Sequence, residues 1–215
     1  MIEQMGIDLG LGIIRTMAIR QMKRNATPRI TRVGAFVYGS SDYRAGLAAC
    51  RAVYDDRVPV VVSFPFAQVW MTPLPDPTPP VSWALEQQYL AELAQHTWGV
   101  ESHEVRLDRV QVNPDTAFCI AARTEAVVAL ERTVSDFFPH LRAIAVDAFA
   151  LLSALSHAPP EWCYIHDATG MRHFQIEAGI PVQAAVTTEA RAHAQCLNEW
   201  TICRGLATWG FTTAT

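Results

Sequence analysis

Residues 6–14 read GIDLGLGII, and this stretch predicts a strand, a glycine-rich turn and a returning strand. Glycine adopts the backbone conformations of tight turns at little cost, and three glycines stand within these nine residues. The return strand continues through residues 17–20, and β-forming residues recur from Ile30 to Tyr38. The start of the chain therefore predicts an antiparallel meander of three strands.

A helix and a buried strand are predicted to follow this meander. Asp42 is the predicted N-cap of a helix that runs to about Tyr54. Its predicted apolar stripe consists of Leu47, Ala49, Cys50 and Val53. Val58–Phe64 is a short apolar run, which predicts a strand parallel to the first because a helix precedes it.

The middle of the chain predicts a β-α-β-β-α unit. Phe66–Leu74 is predicted to form an edge strand, and the proline-rich stretch Pro73–Pro80 a loop. Ser82 is the predicted N-cap of a helix that ends near Gly99. The predicted apolar stripe of that helix is Leu85, Tyr89 and Leu93. The unit closes with strands Glu104–Val112 and Ala117–Ala122, an Asn113–Asp115 turn between them, and a helix capped by Thr124 with an apolar face of Val127, Leu130, Val134 and Phe138.

The last third predicts a strand, a helix and a second meander. The strand is Arg142–Asp147 and the helix begins at Phe149. The meander comprises Trp162–Ala168, Met171–Glu177 and Pro181–Thr187. A further helix is predicted over Glu189–Asn198.

Composition limits the classes of function. The chain has 215 residues, of which 50% are hydrophobic, so it buries one large core or two small ones. A net charge of −4 argues against nucleic acid as a partner. The basic residues Arg20, Lys23, Arg24, Arg29 and Arg32 cluster near the start, and we interpret them as a solvated strand and turn.

Neither a membrane span nor a disulfide framework is predicted. No stretch approaches the roughly 20 consecutive apolar residues that a spanning helix needs, and the N-terminus lacks the features of a secretory signal. The five cysteines are odd in number and widely spaced, which is typical of buried thiols in a reducing compartment. We therefore expect a cytoplasmic protein.

Four motifs together resemble a known family. They are residues 6–10 (GIDLG), residues 60–65 (VVVSFP), residues 121–123 (AAR) before a helix, and residues 144–152 (IAVDAFALL). In this order and spacing they resemble the actin-like pilus-assembly family PilM, especially its short relative HofM. The resemblance spans roughly residues 5 to 175.

This resemblance implies an α/β fold: a ribonuclease-H-like, actin-like core with an inserted ferredoxin-like subdomain, lacking part of the full second domain. The expected first subdomain comprises residues 1–64 with 141–160, the insertion residues 65–140, and the partial second subdomain residues 161–215. It also implies an adaptor that is peripheral to the inner membrane through its partners. Such proteins hold the N-terminal cytoplasmic tail of a PilN-like membrane protein and link it to other pilus-assembly components.

The resemblance also locates a degenerate nucleotide site at Asp8 and Gly10 in the first hairpin and at Asp167 and Gly170 in the second. Actin-like enzymes clamp phosphates and magnesium with two Asp-Gly hairpins and hold adenosine with a later glycine-rich segment. Here the first hairpin lacks the usual hydroxyl residue, and the glycine of the second comes one residue late. We therefore predict no enzyme activity, no catalytic residue, no metal site and no working cofactor, only a vestige of ATP and magnesium binding.

Aromatic residues beside the proline-rich loop suggest a place for the partner. Exposed aromatics next to prolines often mark a docking groove for a peptide. We predict that Phe64, Phe66, Trp70 and Trp83 lie near a cleft that receives the partner tail. The alternative is that these side chains only seal the joint between core and insertion.

Two other functions remain open from the sequence. One is an ATPase or sugar-kinase-like enzyme of the same superfamily. The other is the actin-like cytoplasmic part of a type II secretion system. Magnesium-ATP calorimetry separates the first from an adaptor.

Overall fold

The computed structural model of the protein describes residues 2–22, 26–39, 42–55, 57–74, 82–113, 116–155, 158–190 and 193–209. The strands are β1 Ile2–Gly10, β2 Ile13–Gln21, β3 Arg29–Val37, β4 Val60–Phe64, β5 Val69–Pro73, β6 Val105–Asn113, β7 Thr116–Arg123, β8 Leu141–Val146, β9 Trp162–His166, β10 Met171–Glu177, β11 Ile180–Thr187 and β12 Gln195–Cys196. The helices are α1 Arg44–Arg51, α2 Trp83–Trp98, α3 Thr124–Ser135, α4 Asp147–Ala154 and α5 Thr201–Thr208, with a 3₁₀ turn at Phe66–Gln68. None of these helices is both long and apolar enough to span a membrane.

The chain divides into two compact units. The larger comprises Met1–Ala67 with Glu131–Thr215, and the smaller comprises Gln68–Leu130. The smaller unit contains β5, α2, β6, β7 and the first part of α3. The finer bounds 1–64 with 141–160, 65–140 and 161–215 stay a prediction.

The first sheet of the larger unit has the strand order β3-β2-β1-β4-β8. β1, β2 and β3 form the predicted antiparallel meander, and β4 lies parallel to β1 as predicted. Every residue of β4 is buried, as expected for a central parallel strand covered on both faces. The β1–β2 turn lies at one end of two interior strands of this sheet.

The second sheet repeats the arrangement of the first four strands. Its order is β11-β10-β9-β12, with an antiparallel meander β9-β10-β11 and a fourth strand parallel to its first. The predicted second meander is therefore present. The β1–β2 hairpin of the first sheet and the β9–β10 hairpin of the second therefore hold equivalent positions.

The prediction of a helix over Glu189–Asn198 is wrong. The described residues of that stretch form turns and β12, which pairs with β9, and the helix lies further on as α5. α5 packs against β1, β2 and α4, and it buries Ile202, Cys203, Leu206 and Ala207. The C-terminal part of the chain therefore completes the core of the larger unit.

The smaller unit is a three-stranded sheet, β5-β7-β6, with α2 beside it. The hydroxyl of Ser82 accepts a hydrogen bond from the N–H of Leu85, and Gly99 ends α2 in the left-handed conformation, both as predicted. The predicted stripe is wrong in part, because Leu85 and Tyr89 are exposed. The buried residues of α2 are Leu90 and Ala94 instead.

Other local predictions differ from the structure. The N-cap of α1 is Tyr43, and Asp42 accepts a hydrogen bond from the N–H of Arg44. Val53 is exposed, beyond the end of α1. Thr124 begins α3, and its hydroxyl donates to the carbonyl of His103 instead of capping the helix. The predicted loop at 75–80 and most of the predicted 113–115 turn lie outside the described residues.

Gln4 fastens the end of α5 to β1. Its amide nitrogen donates to the carbonyls of Leu206, Ala207 and Trp209 at 3.1, 3.1 and 2.9 Å. Its carbonyl oxygen accepts a hydrogen bond from Arg142 at 2.5 Å. Since the last carbonyls of a helix lack partners within the helix, this buried amide satisfies groups that burial would otherwise leave unpaired.

We expect Gln4→Leu to lower the free energy of unfolding by about 1–3 kcal/mol, because it leaves buried carbonyls without a donor. Urea unfolding followed by tryptophan fluorescence measures this loss. Gln88→Leu, which changes an exposed glutamine on α2, is the control and is expected to cost less than about 0.5 kcal/mol. Equal stability of the two variants would contradict the assigned role of Gln4.

Candidate functional site

The turns of the two hairpins bind directly to each other. The N–H of Leu11, in the β1–β2 turn, donates to Oδ2 of Asp167 at 3.0 Å. The N–H of Thr169, in the β9–β10 turn, donates back to the carbonyl of Leu11 at 3.2 Å. The predicted site residues Asp8, Gly10, Asp167 and Gly170 are thus brought together at one place in the larger unit.

Glycines make this close contact possible. A Cβ atom on Gly10 would lie 2.6 Å from Oδ1 of Asp167, closer than such contacts occur. Gly12 has a φ of 71°, a left-handed conformation that favours glycine, and a Cβ there would lie 2.8 Å from Thr169. The two turns therefore pack against each other with no gap at these positions.

Behind the turns, one arginine connects three aspartates. The guanidinium of Arg172, on β10, binds Asp8 in bidentate fashion, with distances of 2.9 and 2.6 Å. Its Nε donates to Asp167 at 2.7 Å, and Nη1 reaches Asp147 at a longer 3.4 Å. This planar fork suits bidentate carboxylate binding. Arg172 thus links β1, β10 and the start of α4.

A second arginine joins the same group. Nη1 of Arg15, on β2, contacts Oδ1 of Asp167 at 2.5 Å and lies 3.9 Å from Asp8. Nη2 donates to the carbonyl of His166 at 2.5 Å. We call Asp8, Arg15, Asp147, Asp167 and Arg172 the ion cluster. All five side chains are buried.

The ion cluster carries one more negative than positive charge when all five groups are ionised. Burial raises the pKa of Asp147 to about 6, although Arg172 and the N–H of Phe66 oppose this rise. Burial would also raise the pKa of Asp167, but Arg172 and Arg15 outweigh it and hold that pKa below its ordinary value. Asp147, which has the longest contact with Arg172, therefore takes up a proton more readily than Asp167 does.

These residues do not fit a magnesium-bound triphosphate. Each of the three carboxylates already contacts a guanidinium group, which stands where a cation would have to bind. The backbone N–H of Leu11, a donor that a phosphate would need, is bonded to Asp167. In the described ranges, no group of three His, Cys, Asp or Glu side chains is arranged to hold a metal ion.

The four aromatic residues predicted to bind a partner fall into different units. Phe64 and Phe66 are buried in the larger unit, where Phe66 meets the ring of Phe149 edge to face. Trp70, in the smaller unit, is half-buried, stacked on Trp98 at 6.2 Å and covered by the guanidinium of Arg123. Trp83 begins α2. Their role in partner binding stays a prediction.

Sequence reasoning missed Arg15, Asp147 and Arg172 as members of the site. A signal for one of them was present: a two-residue turn at Leu11 and Gly12 places Asp8 directly opposite Arg15. Asp147 lies inside one of the motifs that carry the family resemblance. No comparable pattern indicated Arg172, because it approaches the first hairpin only through tertiary packing.

Comparison with known proteins rests on structure. No protein-family model and no curated protein matches the chain. Among solved structures, the PilM–PilN type IV pilus biogenesis complex matches with a TM-score of 0.60 and 16% identity, over 86% of this chain and 61% of that one. The cytoplasmic domain of EpsL, an inner membrane component of the type II secretion system of Vibrio cholerae, matches with a TM-score of 0.57 and 12% identity, over 86% and 71%.

The chain has an actin-like fold. The predicted fold class is therefore confirmed, and so is the structural likeness to PilM. The chain spans about three fifths of the PilM chain that it matches. Within the actin-like fold, the ion cluster lies at the two hairpins that the sequence had indicated.

Proposed function

We propose that this chain is an adaptor of a pilus or related inner-membrane assembly, which binds the cytoplasmic tail of a PilN-like membrane protein and does not turn over nucleotide. In this proposal it acts in the cytoplasm and reaches the membrane through its partners. The proposal has two parts, the loss of nucleotide chemistry and the binding of a peptide. Each part has its own support and its own test.

The ion cluster is the observation that carries the first part. An enzyme acting on a triphosphate needs groups that stabilise charge on the phosphates and on a metal ion. Here the carboxylates of both hairpins are bound to Arg172 and Arg15, and the turns are hydrogen-bonded to each other. Opening the site would leave these buried charges unpaired, which opposes nucleotide entry.

The second part is supported by the structural likeness and by an aromatic surface. One similar structure is that of PilM in complex with PilN. In the smaller unit, Trp70 remains partly accessible and contacts both Trp98 and Arg123, an aromatic and cationic group of the kind that anchors peptides. Trp83 begins helix α2 of the same unit, and we keep it as a predicted partner-binding residue.

Calorimetry tests both parts with two probes. We expect no saturable heat with magnesium-ATP and no release of phosphate, because Arg15 and Arg172 already occupy the carboxylates that would bind magnesium. We expect saturable binding of a synthetic peptide with the N-terminal cytoplasmic sequence of a PilN protein. Saturable magnesium-ATP binding with turnover would refute the adaptor and favour an ATPase.

Variants locate the peptide site. Trp70→Ala and Trp83→Ala are expected to weaken peptide binding about tenfold or more, since aromatic anchors carry much of the energy of such interfaces. Tyr89→Ala, which removes an exposed aromatic ring from the same unit, is the control and is expected to bind normally. Undiminished affinity in both tryptophan variants would remove these residues from the site.

A type II secretion role is the second candidate, because the EpsL domain matches nearly as well as PilM. The two candidates predict different preferences among membrane-protein tails. A tail from a secretion-system partner, tested as a competitor against the PilN peptide, discriminates between them. If the secretion-system tail displaces the bound PilN peptide at a lower concentration than unlabelled PilN peptide does, the secretion assembly is favoured.

A further inference from the structure

β3 is a long and exposed edge strand. It pairs with β2 on one side, and within the described residues no strand pairs with its other side. Seven of its nine residues are exposed, including Ile30 at 59%, Val33 at 50% and Val37 at 72%. An edge of this kind presents unpaired N–H and C=O groups and is a template for another strand.

A bulge places two apolar side chains of β3, Ile30 and Val33, on the same face of the sheet. The register shifts between Ala18 and Ile19 of β2, so Ile30 pairs with Ile19 while Val33 pairs with Met17. Because paired residues share a face, Ile30 and Val33 both lie on the side where Met17 and Ile19 pack against α5. Without the bulge, these two apolar side chains would lie on opposite faces.

The other face of β3 is basic. Glu3, Arg20 and Arg29 form a row across β1, β2 and β3. Glu3 binds Arg20 at 2.9 Å, while Arg29 faces Arg20 with no acidic partner in the described part of the chain. Like charges directly opposite each other are unfavourable, so a negative charge beside Arg29 would stabilise this row.

The surrounding sequence has the same charge bias. Residues 9–41 contain six of the 17 Lys and Arg residues and none of the 21 Asp and Glu residues, although the net charge of the chain is −4. Arg32 lies on the basic face too, over the ring of Tyr54 and bonded to the carbonyl of Val53. The edge is therefore complementary to an acidic segment.

We propose that β3 docks an extended acidic segment of a partner protein by β-strand addition, through residues other than those predicted to bind the PilN tail. The segment alternates apolar and acidic residues. Its apolar side chains extend the face of Ile30 and Val33, and its acidic side chains continue the row that ends at Arg29. Its backbone pairs with the free edge of β3. This inference does not depend on the pilus role.

Charge argues against the two other occupants. A second copy pairing through β3 would bring another edge of the same positive bias, since residues 9–41 hold no Asp or Glu, and would offer no negative charge to Arg29. An anionic membrane would attract the basic face but would leave the strand edge and the apolar face unused. A protein segment with alternating chemistry satisfies all three features.

The test uses a blocked eight-residue peptide of alternating Glu and Val, with a Lys-Val peptide as its counterpart. We expect the Glu-Val peptide to bind and the Lys-Val peptide not to bind. Arg29→Glu is expected to weaken binding about tenfold, because it reverses one exposed charge. Arg106→Glu, an exposed arginine on the edge strand β6, is the matched control and is expected to bind normally.

Hydrogen exchange supplies the structural readout. On binding the Glu-Val peptide, amides of residues 29–37 are expected to exchange more slowly, and the Lys-Val peptide is expected to cause no change. Normal binding by Arg29→Glu, equal losses in both arginine variants, or no protection of β3 would each overturn the proposal. So would Arg29-dependent binding to phosphatidylserine vesicles without peptide binding, or dimerisation that protects β3 in the absence of peptide.

Discussion

Replacing Arg172 with leucine is expected to reduce the free energy of unfolding by about 3–5 kcal/mol, enough to unfold a marginally stable protein. The substitution removes the cation that binds Asp8 and Asp167 at close range and Asp147 at 3.4 Å. Arg15 is then the only arginine left in the ion cluster, and it contacts Asp167 and lies 3.9 Å from Asp8. Breaking a buried ion pair from one side is costly because the remaining charge cannot be hydrated.

The pH dependence of this loss identifies its cause. In the wild type, the pKa of Asp147 is raised from 3.8 to about 6, so the folded state binds a proton more readily than the unfolded state between those pH values. Asp147 therefore makes stability fall as pH rises through that window. The lowered pKa of Asp167 acts in the opposite sense, since its contribution is present above its ordinary pKa and is lost as pH falls.

Without Arg172, protonation of the three aspartates removes buried negative charge that has lost its main partner, and so stabilises the folded variant. We therefore expect Arg172→Leu to be less destabilised relative to wild type at pH 5 than at pH 7.5, measured by urea unfolding at both values. Arg44→Leu, which breaks the exposed pair with Asp136, is the matched control and is expected to cost at most about 1 kcal/mol. A loss independent of pH would mean that Arg172 acts through packing and not through charge.

The hairpins and parallel strands were predictable from the sequence because their signals are local. The glycines at 10 and 12 indicate the first turn, and the apolar run Val60–Phe64 indicates a strand buried on both faces. The second meander was predictable for the same reason. Such patterns report short-range geometry and burial, which together fix element type and order.

The C-terminal elements were mispredicted because tertiary contacts overrode local preference. Residues 189–198 are rich in helix formers such as Ala, Glu and Arg, yet Gln195 and Cys196 pair with β9. α5 has the opposite character: its eight residues include two threonines and Gly205, which disfavour an isolated helix. Its stability comes from packing on β1 and α4, which a local pattern does not reveal.

The site was predicted only in part for a related reason. The turns that carry Asp8 and Asp167 could be recognised from the sequence and do lie together, while the predicted nucleotide-binding role of these residues stays a prediction. Arg172 was not, because nothing near it in sequence indicates that it crosses to Asp8, 164 residues away. The chemistry of the site depends on that long-range contact. The sequence therefore indicated the two turns, but only the structure shows that arginines pair with their aspartates.

Replacing Gly205 with alanine is expected to destabilise the fold by about 3 kcal/mol or more. A Cβ atom at this position would lie 1.8 Å from the carbonyl oxygen of Ala150 and 2.6 Å from its carbon, both backbone atoms of α4. Because backbone atoms inside a helix cannot move aside alone, α5 would have to shift away from α4. That shift would also disturb the contact of α5 with Gly6 of β1, where a Cβ would lie 2.5 Å from the carbonyl of Cys203.

Intrinsic helix propensity predicts the opposite sign, which makes the experiment decisive. Alanine inside a helix is favoured over glycine by about 1 kcal/mol, so Gly205→Ala would stabilise α5 if that helix were loosely packed. Gly39→Ala is the control, since a Cβ there has open space and the backbone is not in the left-handed region, and it is expected to change stability by less than about 1 kcal/mol. Thermal unfolding of both variants measures the difference. A raised melting temperature for Gly205→Ala would show that α4 and α5 do not meet at this glycine, because only close backbone contact reverses the preference of a helix for alanine.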